Sequence, residues 1–105
     1  LKVKLKNKDI YEGVDEKNLD AIILDLAEPW KVLKHAEKAL KCGGFLVAYL
    51  PNITQVIQLV RSLNSPFILD KVEEVIEREW YVDDRVRPVN TILGHTAFLV
   101  FVRKI

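Results

Sequence analysis

The chain has no methionine, one cysteine, two histidines, four glycines and four prolines among 105 residues. Each scarcity excludes something. Cys42 has no second cysteine with which to close an internal disulfide, and one cysteine with two histidines is too few for a structural zinc site. No apolar run approaches the roughly 18 residues that a bilayer-spanning helix needs, and the basic start LKVKLKNK is not followed by the apolar segment of a signal peptide. The expectation is a soluble protein of the reducing cytoplasm with no membrane partner. Lys and Arg number 16 against 15 Asp and Glu, so a net charge of +1 gives no general argument for a polyanion partner. Any such argument must rest on local clusters. The missing initiator Met, in a chain that opens within an alternating pattern, is expected of a piece excised from a longer protein.

What is present is a hydrophobic content of 50%, enough at this length for one compact core and not for two. Leu1, Val3 and Leu5 alternate with Lys2, Lys4 and Lys6, the period of a half-buried strand with one wet face. Residues 7–19 carry Gly13 and mixed charge without steady periodicity and are expected to form a loop. The runs AIIL (21–24) and FLVAYL (45–50) have the continuous apolar character of strands buried on both faces. Between them, Val32, Leu33, Ala36, Ala39 and Leu40 fall at helical spacing, with Pro29 suited to a first turn and Gly43 and Gly44 as the stop. Ile53, Val56, Ile57, Val60 and Leu63 mark a second amphipathic helix, closed by Asn64-Ser65-Pro66. Residues 67–81 fit a charged helix or a strand equally well, whereas 96–102 read as a strand of β-branched and aromatic residues. Alternation of this kind predicts an α/β sheet, mostly parallel, with helices on its faces.

In open parallel sheets ligands bind beyond the carboxyl ends of the strands, so Asp9, Asp25 and Tyr49 are the first candidates. Asp25 follows four apolar residues and precedes a helix start in DLAEPW, where it is either a carboxylate at the rim of the sheet or the cap of that helix. Tyr49 is either a pocket residue or a core aromatic with its hydroxyl in water. Asp9 has the alternative of an Asx turn, and Gln55 that of a solvated helix residue.

LDLAEPW, then GGFLVAYLPNITQ, RVRP and GHTAFLVFVRK together resemble the C-terminal part of tRNA adenine-N1 methyltransferases, enzymes that act on adenine in the T-loop. The resemblance runs over essentially the whole chain, and its most specific parts are DLxxPW and YxPNxxQ. It implies an α/β fold, a partial Rossmann-like class I methyltransferase sheet comprising the third to seventh strands, with residues 1–6 as the third. Residues 1–105 would then be the C-terminal portion of one catalytic domain. The cofactor implied is S-adenosylmethionine and the partner tRNA, with the complete enzyme a homo-oligomer, tetrameric by resemblance. The family's glycine-rich loop has the form GxGxG, which occurs nowhere here, since the only glycines are Gly13, Gly43, Gly44 and Gly94. The acid that holds the cofactor ribose is also missing, so the fragment is expected to be inactive alone.

Carried over by position, the resemblance makes Asp9 the acid at the cofactor's adenine amine, with Ile10 beside the ring. Asp25 becomes the catalytic aspartate, which also contacts the cofactor, and Tyr49 a lining of the target-base pocket. Trp30 would wall the same pocket or simply pack at the helix start, and Gln55 would bind a base edge or fix Tyr49. Arg85 and Arg87, with Pro88, would meet tRNA phosphates or close the pocket; their alternative is plain solvation. His95, beside Thr96, resembles a pair entering the last strand and is expected to be structural, having no adjacent nucleophile. Ala27 and Cys42 stand where the family often has proline. Two further readings stay open: a methyltransferase of this fold acting on a small molecule or protein, and a non-catalytic tRNA-binding subunit. Finally, a strand at 21–24 without its first-strand neighbour would present an open edge, to be covered by self-association or by residues 1–6.

Overall fold

A computed structural model of the protein describes residues 2–89 and 97–105. A 3-10 turn (Ile10–Glu12) leads into β1 (Leu19–Leu24), a second 3-10 turn (Pro29–Val32) that runs into α1 (Leu33–Ala39), β2 (Leu40–Leu50) and α2 (Ile53–Ser62). Then follow β3 (Phe67–Glu74), a hairpin of β4 (Trp80–Val82) and β5 (Val86–Pro88), and β6 (Phe98–Lys104). Four strands form one sheet in the order β1-β2-β6-β3, and β4-β5 stand apart as a two-stranded sheet. β1 and β2 are parallel, as a strand-helix-strand crossover requires, while β6 runs antiparallel to both of its neighbours. The fold is α/β, but the sheet is mixed rather than mostly parallel.

The core lies on one face of this sheet. Ile22 and Leu24 of β1, Leu46, Ala48 and Leu50 of β2, and Val100 and Val102 of β6 point into it and meet Val32, Leu33, Ala36 and Ala39 from the first helical segment and Val56 and Leu59 from α2. Burying each such side chain contributes about 1.5–3 kcal/mol, which is why the helices sit where their apolar stripes meet the sheet. Both lie on the same face. The opposite face is open: Ile23 is 77% and Tyr49 47% exposed. The expectation that 21–24 and 45–50 are buried on both faces is thus corrected, because no described element covers the second face. Cationic head groups lie over part of it, the Arg103 guanidinium over Phe45 and the Lys71 ammonium over Phe101.

α1 ends earlier than its sequence pattern suggests. The Nζ of Lys104, from the last strand, donates to the carbonyls of Glu37 and Leu40 and so satisfies groups that a helix end leaves orphaned. Gly43 then turns the chain at φ 84, and Gly44 lies so close to β1 that an added Cβ would stand 3.2 Å from the Asp20 carbonyl oxygen.

Residues 2–6 are not a strand, which corrects the expected third strand. A strand needs a ladder partner, and these residues have none among the described ones. Ion pairs hold the following stretch instead: Lys6 to Glu16 at 3.0 Å and Lys8 to Asp15 at 2.6 Å. The Lys8 hydrogen bond holds the Asp15 carboxyl below the ordinary carboxylate range, and the Lys6 hydrogen bond does the same for Glu16. The ambiguous 67–81 segment resolves into β3 and the start of β4.

Candidate functional site at the carboxyl ends of the parallel strands

β1 ends opposite Ala48, two residues before the end of β2. Their last register pair is Leu24 with Ala48, so Asp25 and Tyr49 are the next residues of two adjacent parallel strands. Both are exposed, at the rim where open sheets of this kind take ligands. Asp25 does not cap the following helix. That N-cap is Glu28, whose side chain makes no capping bond, and Pro29 occupies the first helical position.

The loop between Asp25 and Pro29 is tied down from two sides. Gln55, in the first turn of α2, accepts a hydrogen bond from the Asn52 amide at 3.2 Å and donates from Nε2 to the Ala27 carbonyl at 3.0 Å. From the other side, the Glu28 amide donates to the hydroxyl of Tyr11 at 3.1 Å. Lys31 closes on the Glu28 carboxylate at 2.6 Å. Gln55 therefore holds the Asp25 loop; no bond from it to Tyr49 occurs among the described contacts.

Asp9 caps the first 3-10 turn, its Oδ1 accepting from the Tyr11 amide at 2.9 Å. This is the local bond that an Asx-type residue makes, and it leaves Oδ2 for a donor from outside. Ile10 is half-buried against the core. A carboxylate oxygen next to an apolar side chain suits the amine edge and face of an adenine.

Trp30 and Tyr49 line different hollows. Trp30 borders a cavity of about 430 Å³ with Tyr11, Lys34, Ser62, Asn64 and Phe67, on the helical side of the sheet. Tyr49 borders one of about 380 Å³ with Val75, Glu77, Ala97 and Leu99. Arg85 and Arg87 lie on the β4-β5 hairpin, where the Arg85 amide donates to Asp83 Oδ1 at 2.8 Å and the Arg87 guanidinium stacks 4.7 Å above Tyr81. Asp83 and Asp84 border the same hollow as the two arginines, so the cluster is bipolar rather than purely basic. His95 and Thr96 lie outside the described residues.

Sequence reasoning missed Tyr11 and His35. His35 of α1 donates from Nε2 to the Tyr11 carbonyl at 2.9 Å. A tyrosine two residues after a candidate acid, in a mostly polar loop, was the available signal. Among the described residues no group of three or more His, Cys, Asp or Glu could hold a metal, and no helix is long and apolar enough to cross a membrane.

The chain is similar in sequence and in fold to known methyltransferases. A tRNA (adenine(58)-N(1))-methyltransferase TrmI of Thermus thermophilus is 54% identical over 93 residues, which are 87% of this chain and 36% of that protein. Among solved structures, a SAM-dependent O-methyltransferase from Thermotoga maritima superposes with a TM-score of 0.85 at 37% identity, covering 97% of this chain and 39% of the other. The tRNA methyltransferase TrmI from Aquifex aeolicus follows at 0.81 and 33%, covering 94% and 41%. The chain thus spans well under half the length of each. A family profile described as "tRNA methyltransferase complex GCD14 subunit" matches residues 2–86, and this chain belongs to that family.

Proposed function

We propose that this chain is the C-terminal portion of the catalytic domain of a methyltransferase that transfers a methyl group from S-adenosylmethionine to N1 of an adenine in the T-loop of tRNA. The observation that carries the reading is the placement of Asp25 and Tyr49, each the residue that follows the last register pair of two adjacent parallel strands, in a chain of this family. Adenine N1 is a weak nucleophile, and its attack leaves positive charge spread toward the exocyclic amine. A carboxylate at Asp25 accepts a hydrogen bond from that amine and stabilises the charge where it develops. Positioning and charge stabilisation suffice, since the transfer itself requires no base. Tyr49 offers its ring to the target base and its hydroxyl to a base edge.

S-adenosylmethionine supplies an electrophilic sulfonium methyl when bound. Asp9 Oδ2 and Ile10 suit its adenine end, and the exposed Asp25 suits the side facing the reacting centre. The glycine loop for its remaining parts has no counterpart among these residues. Gln55 acts by holding the Asp25 loop, Trp30 by walling the neighbouring hollow, and Arg85 and Arg87 by meeting tRNA phosphates. The complete enzyme works in the cytoplasm as a homo-oligomer, a tetramer by resemblance; the exposed Trp80, Val82 and Val86 of the hairpin, at 50%, 80% and 69%, support association. Methylation assays with the full-length protein on tRNA and on tRNA with the T-loop adenine replaced test the reading. Methyl transfer that is indifferent to that replacement overturns it.

A further inference from the structure

We infer that Tyr11 and His35 are positioning residues that lock the Asp9 turn to the loop leaving β1, so that the cofactor-side acid and the Asp25 loop are held as one unit. The inference rests on the roles proposed above for Asp9 and Asp25.

Tyr11 is engaged three ways. Its amide donates to Asp9 Oδ1 at 2.9 Å, its carbonyl accepts from His35 at 2.9 Å, and its hydroxyl accepts from the Glu28 amide at 3.1 Å. The first bond fixes the acid, the second fixes the turn to α1, and the third reaches the loop three residues beyond Asp25. A carbonyl only accepts, so the His35 ring carries its proton on Nε2, and the contact sets the tautomer. α1 is a firm anchor, because Leu33, Ala36 and Ala39 on either side of His35 are buried in the core. The turn also lies beside the histidine: a Cβ added at Gly13, whose φ is 146, would stand in ordinary contact with His35 Nδ1, at 4.0 Å. The amide of Glu28, the N-cap of its helical turn, thus gives its partly buried hydrogen bond to the Tyr11 hydroxyl.

The Tyr11 hydroxyl and the Glu28 amide come from segments 17 residues apart, and Tyr11 and His35 are 24 apart. These bonds therefore join the Asp9 turn to the loop at the rim that follows Asp25. Misplacing a reacting group by an ångström costs about a hundredfold in rate, so a clamp of this kind is felt in turnover before it is felt in binding.

The test uses the full-length protein with Tyr11→Phe, His35→Leu and His35→Gln. Phenylalanine keeps the ring packing and deletes only the acceptor, while glutamine keeps a donor. Tyr11→Phe is expected to lower kcat about tenfold with KM for S-adenosylmethionine within about twofold, and to speed hydrogen exchange of the Glu28 amide. His35→Leu should lower kcat similarly and loosen residues 9–13 and 27–30 together, and His35→Gln should restore both readouts. A merely structural role would lower the Tm and leave kcat per folded molecule unchanged. Values of kcat within about twofold of wild type in Tyr11→Phe and His35→Leu, or exchange that rises in only one of the two segments in His35→Leu, overturn the inference. A wild-type protein that methylates no tRNA sinks the functional reading instead, and the exchange data alone then decide whether the two segments are coupled.

Discussion

The side-chain amide of Gln55 bridges two loops at the rim, accepting from the Asn52 amide and donating to the Ala27 carbonyl at 3.0 Å. One residue thus starts α2 and holds the loop that follows Asp25. Gln55→Glu separates the two tasks, because a carboxylate still accepts from Asn52 and cannot donate to Ala27. The lost bond and the carboxylate facing a carbonyl should cost about 1–2 kcal/mol in stability and lower turnover, with α2 intact by circular dichroism. A variant as active and as stable as wild type would show that the Ala27 bond holds nothing.

Asp25→Asn should reduce kcat by about a hundredfold while tRNA affinity stays nearly unchanged, since the lost charge acts mainly in the transition state. The comparison needs only steady-state kinetics and a binding titration. Turnover near that of wild type would remove Asp25 from the chemistry.

Arg85 stands in the hairpin turn with Asp83 and Asp84 beside it, while Arg87 is stacked on Tyr81. If Arg85 neutralises a tRNA phosphate, Arg85→Ala weakens binding and lowers the slope of log affinity against log salt by about one, with little change in kcat at saturating tRNA. An unaltered slope would return the arginine to solvent and its neighbouring carboxylates.

Calorimetry on the 105-residue chain with millimolar S-adenosylmethionine should give no saturable heat, because no GxGxG loop or ribose acid accompanies Asp9 and Ile10. Micromolar binding would mean that the adenine end alone supplies most of the affinity.

How much of this was legible depends on where the free energy lies. β1, α2 and the second half of β2 stand close to their expected positions because burial of Ile22, Leu24, Leu46, Leu50, Val56 and Leu59 sets them, whereas β2 begins at Leu40, where a helix end was expected. The rim position of Asp25 was legible for a related reason, since it follows Leu24, the last apolar residue of its strand. Residues 67–81 were not, since β3 is an edge strand whose side chains are almost all exposed, and no alternation separates it from a charged helix. The alternation of residues 1–6 misled, because a strand pattern is realised only where a ladder partner exists. Likewise, nothing in local sequence records that Tyr11 meets Glu28 and His35, or that Lys104 ends α1, since these bonds join distant segments.

The outer edge of β1 leads to the last prediction. β1 pairs with β2 alone, and residues 2–6 do not move beside it, so the backbone groups on its outer side have no ladder partner among the described residues. Ile23 adds a side chain that is 77% exposed, and Ala21 is exposed as well. The edge carries neither proline nor an inward-pointing charge between Ala21 and Leu24, the devices by which exposed edges avoid pairing. Lys41, paired with Asp20, guards only its beginning. Of the two expected ways to cover this edge, pairing with the chain's own start is excluded by the structure, which leaves association with a second copy. The 105-residue chain should therefore show a mass in light scattering that rises with concentration, and Ile23→Lys, which places a charge on the strand without touching the core, should return it to the monomer. A wild-type chain that stays monomeric at the highest accessible concentration would show that the open edge of β1 is no template for association.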